Sequence, residues 1–287
     1  MKKLLLLPLL PIIFICLLQP TSTRGYSITE ITALYQSGQV FLTWKNANVT
    51  NLQYNVYRSL TPITLSTQLI PENFMGYVRD NSGKNIRKSL LKNSSFYFVI
   101  TGNQPALSSD RGLYVVTSTA SSSYYYAVTV TSLADNIEDK IITAGNSLIS
   151  PVTEAVSPPQ AVLQTITTQG NGDISNEYVI WGNNQNTANW RAFNNLGSYG
   201  YNFTLQKRGN SANQPLCVQF IDQGPFKKVG SDFCVNCNIL SLDDWLPNGE
   251  NTYWIGYHES YNMYSGNSGN PVMTTGTIKT YSQNRTQ

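Results

Sequence analysis

Charge is scarce in this 287-residue chain: Lys, Arg, Asp and Glu together make up 12% of it, about half the usual share. Asn, Ser, Thr and Tyr stand in their place, which suits an extracellular surface that hydrogen-bonds rather than pairs ions. The formal charge of +3 falls to about +1 once Lys2 and Lys3 leave with the leader described below. That balance excludes the basic footprint of a nucleic-acid or anionic-membrane binder. Histidine occurs once, at His258, so any imidazole chemistry rests on that residue and needs a partner within hydrogen-bond reach.

Cysteine is also sparse. Cys16 lies in the leader, leaving Cys217, Cys234 and Cys237. In an oxidising compartment one disulfide and one leftover thiol is the simplest outcome. The C-x-x-C spacing of "CVNC" also occurs at zinc and thioredoxin-like redox sites. A zinc site would have only Cys217 and His258 to complete it, and no clear helix begins at Cys234 to lower a thiol pKa. No metal and no cofactor is assigned.

The one long apolar run, Leu4 to Leu18, follows Lys2 and Lys3 and is broken by Pro8 and Pro11. It is shorter than the roughly 20 residues of a spanning helix. It reads as a secretory signal peptide over residues 1–25, cleaved between Ser22 and Gly25. The bulky Phe14 and Ile15 before Cys16 argue against lipid attachment. The mature chain is expected to be secreted, extracellular or periplasmic, with no membrane contact after cleavage. Sequons stand at Asn48, Asn93, Asn202 and Asn284, and in an Asn/Ser/Thr-rich chain they do not by themselves establish glycosylation.

From Tyr26 to Ser150 the pattern is all β. "GQVFLTWKN" alternates Val40, Leu42 and Trp44 on one face, "NLQYNVYRS" alternates Leu52, Tyr54 and Val56, and "SYYYAVTVTSL" alternates Tyr126, Val128 and Val130. Period-two runs at turn-bounded spacing predict a β-sandwich over residues 26–150. The segment resembles a fibronectin type III domain: the Trp of "FLTW" matches that family's strand-B Trp, "YNVYRS" its strand C, and "YYYAVTV" its strand F with the corner tyrosine. The stretch between "YNVYRS" and "GLYVVTS" is longer than the family's central strands. Its basic part, "DNSGKNIRKSLLKNSS", reads as a solvated excursion or an extra hairpin.

Pro151, Pro158 and Pro159 mark an extended linker over residues 151–164. Beyond it "NEYVIWG", "YGYNFTLQKR", "QPLCVQFID" and "VNCNILSLDDWLP" read as strands, and "TGTIKTYSQNRTQ" opens a candidate helix. The third is a near-continuous apolar run of the kind buried in α/β sheets. With "LSLDDWLPNGENTYWIGYHESYN", these stretches resemble the front of a secreted serine hydrolase of the α/β-hydrolase type, the group of esterases and polyester depolymerases. The resemblance implies an incomplete α/β-hydrolase-like domain over residues 165–287, since that fold needs roughly 200 or more residues.

On that resemblance the turn after "PLCVQFI" occupies the oxyanion-hole position, with Gln223 and Gly224 as candidate donors and Asp222 beside them as an opposing charge. The G-x-S-x-G elbow is missing, and Ser268 in "GNSGN" has the wrong spacing. His258 precedes any elbow, so it cannot be the base of a triad that runs Ser, Asp/Glu, His. Adjacent Asp243 and Asp244 point to opposite faces of a strand and cannot converge as glycosidase carboxylates. No catalytic residue is therefore assigned.

Trp245, Trp254, Tyr257 and His258 are candidate walls of a substrate cleft, with a structural role as the plainer reading of His258. Two functions follow: the front half of an extracellular esterase, inactive as written, or a non-enzymatic carbohydrate-binding or adhesion protein. In the second, Trp181, Trp190, Trp245 and Trp254 either stack on sugars or pack in a core. The expected partner is an extracellular polymer, polysaccharide or polyester.

Overall fold

The computed structural model describes residues 25–26, 28–182, 198–208, 213–221, 237–243, 257–258 and 278–279. In chain order the first half carries β1 (Thr29–Gln36), β2 (Gln39–Lys45), β3 (Leu52–Ser59), β4 (Phe74–Arg79), helix α1 (Ile86–Lys92), β5 (Arg111–Thr117), β6 (Ser122–Ser132), β7 (Ile137–Asp139) and β8 (Val152–Glu154). They make two antiparallel layers, β1-β2-β5 and β4-β3-β6-β7, with β8 also paired to β6. The expected sandwich is present.

The alternation read from sequence supplies its core. Val40, Leu42 and Trp44 of β2 meet Leu52, Tyr54 and Val56 of β3 and Tyr126, Val128 and Val130 of β6, all buried. Trp44 lies 5.5 Å from the Tyr54 ring, each large apolar side chain contributing roughly 1.5–3 kcal/mol on burial. A Cβ at Gly112 would come within 2.3 Å of the Trp44 indole, so the indole closes against bare backbone. The β1–β2 turn, Ser37-Gly38, has positive φ at both residues, the two-residue hairpin geometry that follows strand twist.

The second half carries β9 (Val162–Thr168), β10 (Ile174–Trp181), β11 (Gly200–Lys207), β12 (Leu216–Ile221) and β13 (Asn238–Asp243), in the order β12-β13-β11-β10-β9. This corrects the expectation of an α/β-hydrolase-like layer. Three of the four strand pairings are antiparallel, only β12–β13 is parallel, and no helix occurs among the described residues of this half. The physical reason is the turn after "VLQTITT". Gly172, at φ +85, and the bonds Gln169 N–H to Asp173 O and Gly172 N–H to Gln169 O close a β9–β10 hairpin, which a parallel pair cannot use. Within the candidate terminal helix, β15 (Ile278–Lys279) is extended and pairs with β14 (Tyr257–His258), and the rest of that stretch lies outside the described residues.

The two halves share a core. On the outer face of the β1-β2-β5 layer, Phe41, Leu113 and Val115 pack with Phe98, Val99, Val162, Val179 and Trp181. Trp181 meets Phe41 edge-on at 5.1 Å and Phe98 at 5.3 Å, geometry that aromatic quadrupoles favour. Gln39 Nε2 donates to Trp181 O at 3.1 Å. The Gln164 side chain bonds both N–H and C=O of Val99 at 2.9 Å, and Ser198 Oγ accepts from Val115 N–H on the edge of β5. Residues 151–164 carry β8 and the start of β9, and Ala155 O accepts from the Tyr35 hydroxyl at 2.8 Å.

The basic insertion also differs from expectation. It forms α1, capped by the Asn85 side chain, with Arg87, Lys88 and Ser89 buried and Leu90 68% exposed. Glu177 and Thr165 on the sheet opposite the helix draw Lys88 inward.

A chain ending at Gln160 should keep β1–β8 yet leave Phe41, Leu113 and Val115 wet, so ANS fluorescence should rise over that of the full chain. Phe41→Ala in the full chain should cost roughly 3–5 kcal/mol in a urea melt, whereas an independent sandwich would lose little.

Candidate functional site

Alternation sends Gln53, Asn55 and Tyr57 of β3 to the side away from the sandwich core, and strand register lines them up with their neighbours. One row reads Arg79, Gln53, Thr131 and Glu138, the next Tyr77, Asn55 and Thr129. Below them Tyr57, Ile63, Leu69 and Ala127 close the face with an apolar cluster that also takes in Phe74 and Ile142.

The rows are one hydrogen-bonded array. Gln53 Nε2 donates to Asn55 Oδ1 at 2.7 Å. Asn55 Nδ2 donates to Thr131 Oγ1 at 2.8 Å and Glu138 Oε1 at 3.1 Å. The same carboxylate oxygen accepts from the Tyr57 hydroxyl at 2.8 Å and from the Thr129 hydroxyl, while Lys140 Nζ stands 3.7 Å from Oε2. At the β4 edge the exposed Arg79 guanidinium lies 5.6 Å from the centre of the half-buried Tyr77 ring. Burial and the Glu138 carboxylate push the Tyr57 phenol far above the ordinary tyrosine range. Glu138 is thus a fixed acceptor among amides and hydroxyls, held by three donors.

Two further carboxylates are captured deeper. Glu154 of β8 accepts from the Tyr126 and Ser118 hydroxyls and faces Arg58 at 3.8 Å, whose guanidinium covers the Tyr124 ring at 4.3 Å. Burial first, then Glu154, raises the Tyr126 phenol as well. Glu177 of β10 meets Lys88 Nζ at 2.5 Å. Lys88 also donates to Thr165 Oγ1 at 2.9 Å and lies 4.6 Å from the Phe96 ring centre. Beside them Asn85 Nδ2 donates to Asn202 Oδ1 at 2.6 Å.

Of the residues singled out from sequence, Gln223, Gly224, Trp190, Trp245, Trp254, Asp222, Asp244, Ser268 and residues 1–24 lie outside the described residues. Tyr257 and His258 form β14, with His258 opposite Ile278. Trp181 is core, 2% exposed. Cys237 is disulfide-bonded to a partner outside the described residues, and Cys217 is free. The array on β3, β4, β6 and β7 was not singled out from sequence. Its outward Asn and Thr look like any solvent face, and only the register brings Glu138 against Asn55. Comparison of the chain with protein-family models, curated proteins and solved structures gave no match.

Glu177→Ala would strand the Lys88 ammonium, 8% exposed, and should cost roughly 3–5 kcal/mol, whereas the double change Lys88→Met/Glu177→Leu should equal or exceed the parent in urea melts. Tyr57 and Tyr126, with Tyr54 raised chiefly by burial, predict an alkaline transition. The unfolded chain gives up these protons near pH 10, while the folded chain holds them beyond it. Stability from this source is therefore complete below about pH 10 and falls as pH rises. Absorbance at 295 nm should resolve these phenols as ionising only together with loss of tertiary signal.

Proposed function

We propose that this chain is an extracellular binding or adhesion protein, and that the outer face of β4-β3-β6-β7 holds a hydroxyl-rich polymer, a polysaccharide. The observation that carries this reading is the pair of cross-strand rows, in which amides, hydroxyls and one captured carboxylate stand in register beside Tyr77 and Arg79. Asn55 and Thr129 are buried, 4% and 1% exposed, so contact with sugar hydroxyls falls to Gln53, Thr131 and Arg79 around them, and the Tyr77 ring offers a face to a pyranose. Preorganisation lowers the cost of binding, since these side chains are already held. The strand order β1-β2-β5 against β4-β3-β6-β7 supports the finer, fibronectin type III-like reading of the sandwich.

Affinity electrophoresis through gels cast with soluble β-glucan, xylan, galactomannan or glycol chitin tests the proposal. Retardation by at least one polymer is expected, and Tyr77→Ala and Gln53→Ala should each weaken it about tenfold, the loss of one contact of roughly 1.4 kcal/mol, without changing the melting midpoint. Binding unaffected by both substitutions would sink the assignment to this face. A second reading, descent from a serine esterase, draws support from the parallel β12–β13 pair alone. Turnover of p-nitrophenyl butyrate lost on Ser268→Ala would favour it instead.

A further inference from the structure

The sequons at Asn48, Asn93 and Asn202 meet very different surroundings once the chain is folded. Asn202 sits inside β11 between β10 and β13, 6% exposed, and its amide exchanges two hydrogen bonds with Asn85. Asn48 is exposed in the turn between β2 and β3, and Asn93 is exposed as the left-handed C-cap of α1. A second feature accompanies both exposed sites: uncovered apolar side chains stand next to them. Val49 is 49% exposed, Leu90 68% and Leu91 38%, although α1 has cations it buries instead.

We propose that Asn48 and Asn93 are glycan attachment sites, that Asn202 is not, and that the Asn93 glycan covers Leu90 and Leu91. The proposal rests on the secretory reading of residues 1–25 and is independent of the ligand assigned to the sheet face. In the transfer, Nδ2 of asparagine forms a bond to the anomeric carbon of a polyprenyl-diphosphate-linked oligosaccharide. The bond from that carbon to the diphosphate oxygen breaks, the amide gives up one proton, and the lipid diphosphate leaves. The chain conformation permits this at a turn and at a helix end, where the amide is free to approach an enzyme. At Asn202 the same bond would force a sugar into the buried space where its amide pairs with Asn85, so a chain carrying it would not reach the folded state.

The test expresses the chain behind a host leader in a eukaryotic secretory system and releases glycans from the secreted protein enzymatically in 18O water. This marks each formerly occupied asparagine as labelled aspartate for peptide mapping. Label at Asn48 and Asn93 in most molecules, and none at Asn202, is expected. Asn48→Gln and Asn93→Gln should each remove one glycan. In the Asn93→Gln protein ANS fluorescence should rise, and adding Leu90→Ser/Leu91→Ser should return it to the parental level. Label at Asn202, or a minority occupancy at either exposed site, overturns the attachment proposal. An unchanged ANS signal in Asn93→Gln overturns the covering role.

Discussion

Phe41 meets Trp181 on one face of β2, and three residues on Trp44 lies against Tyr54 on the other. A sheet buried on both faces cannot be finished by the sandwich alone. Its inner side is closed by β3, β4 and β6, its outer side by β9 and β10. The position of the second sheet, the course of residues 151–161 and the seating of α1 all follow from covering that outer face. Interiors pack at crystal-like density, so the aromatic contacts of Trp181 with Phe41 and Phe98 act as a keyed joint rather than a loose tether.

Three of the chain's carboxylates serve internal order. Glu138 and Glu154 each take several donors and Glu177 takes Lys88, and each ties together segments far apart in sequence: β3 to β7, β6 to β8, and α1 to β10. A buried carboxylate without such donors would be expensive, so each capture also selects one arrangement of the strands that supply them. Exposed ions such as Arg79, Lys92 and Lys140 stand thinly among surface amides, hydroxyls and tyrosines.

Helix α1 turns the usual amphipathic rule around. Its Lys88 finds a carboxylate, a hydroxyl and an aromatic face on or beside the second sheet, while Leu90 and Leu91 face outward. The three partners offset the cost of taking the ammonium out of water, while the leucines stay in it. The outward leucines then need cover of another kind, which links the seating of the helix to modification of its C-cap.

The sequence by itself determined the sandwich. Val40, Leu42 and Trp44, Leu52, Tyr54 and Val56, and Tyr126, Val128 and Val130 alternate at a period only strands provide, and all are in its core. It also carried an unread sign of the shared interface, since "QVFLTWK" and "GLYVVT" are apolar or buried on both faces. Two-sided burial names no partner. Likewise "VLQTITTQGNGDIS" holds a hairpin that lies mostly beyond the 151–164 linker bounds, and the apolar run "PLCVQFI" suits a parallel strand whether or not helices cover it. Only the tertiary structure decided that the second sheet is mostly antiparallel, that Lys88 turns inward, and that Glu138 completes the array around Asn55. Those outcomes depend on strand register and on pairs such as Asn55 with Glu138, 83 positions apart. Local periodicity sets which face a residue takes; the partner waiting on that face is chosen by the folded chain.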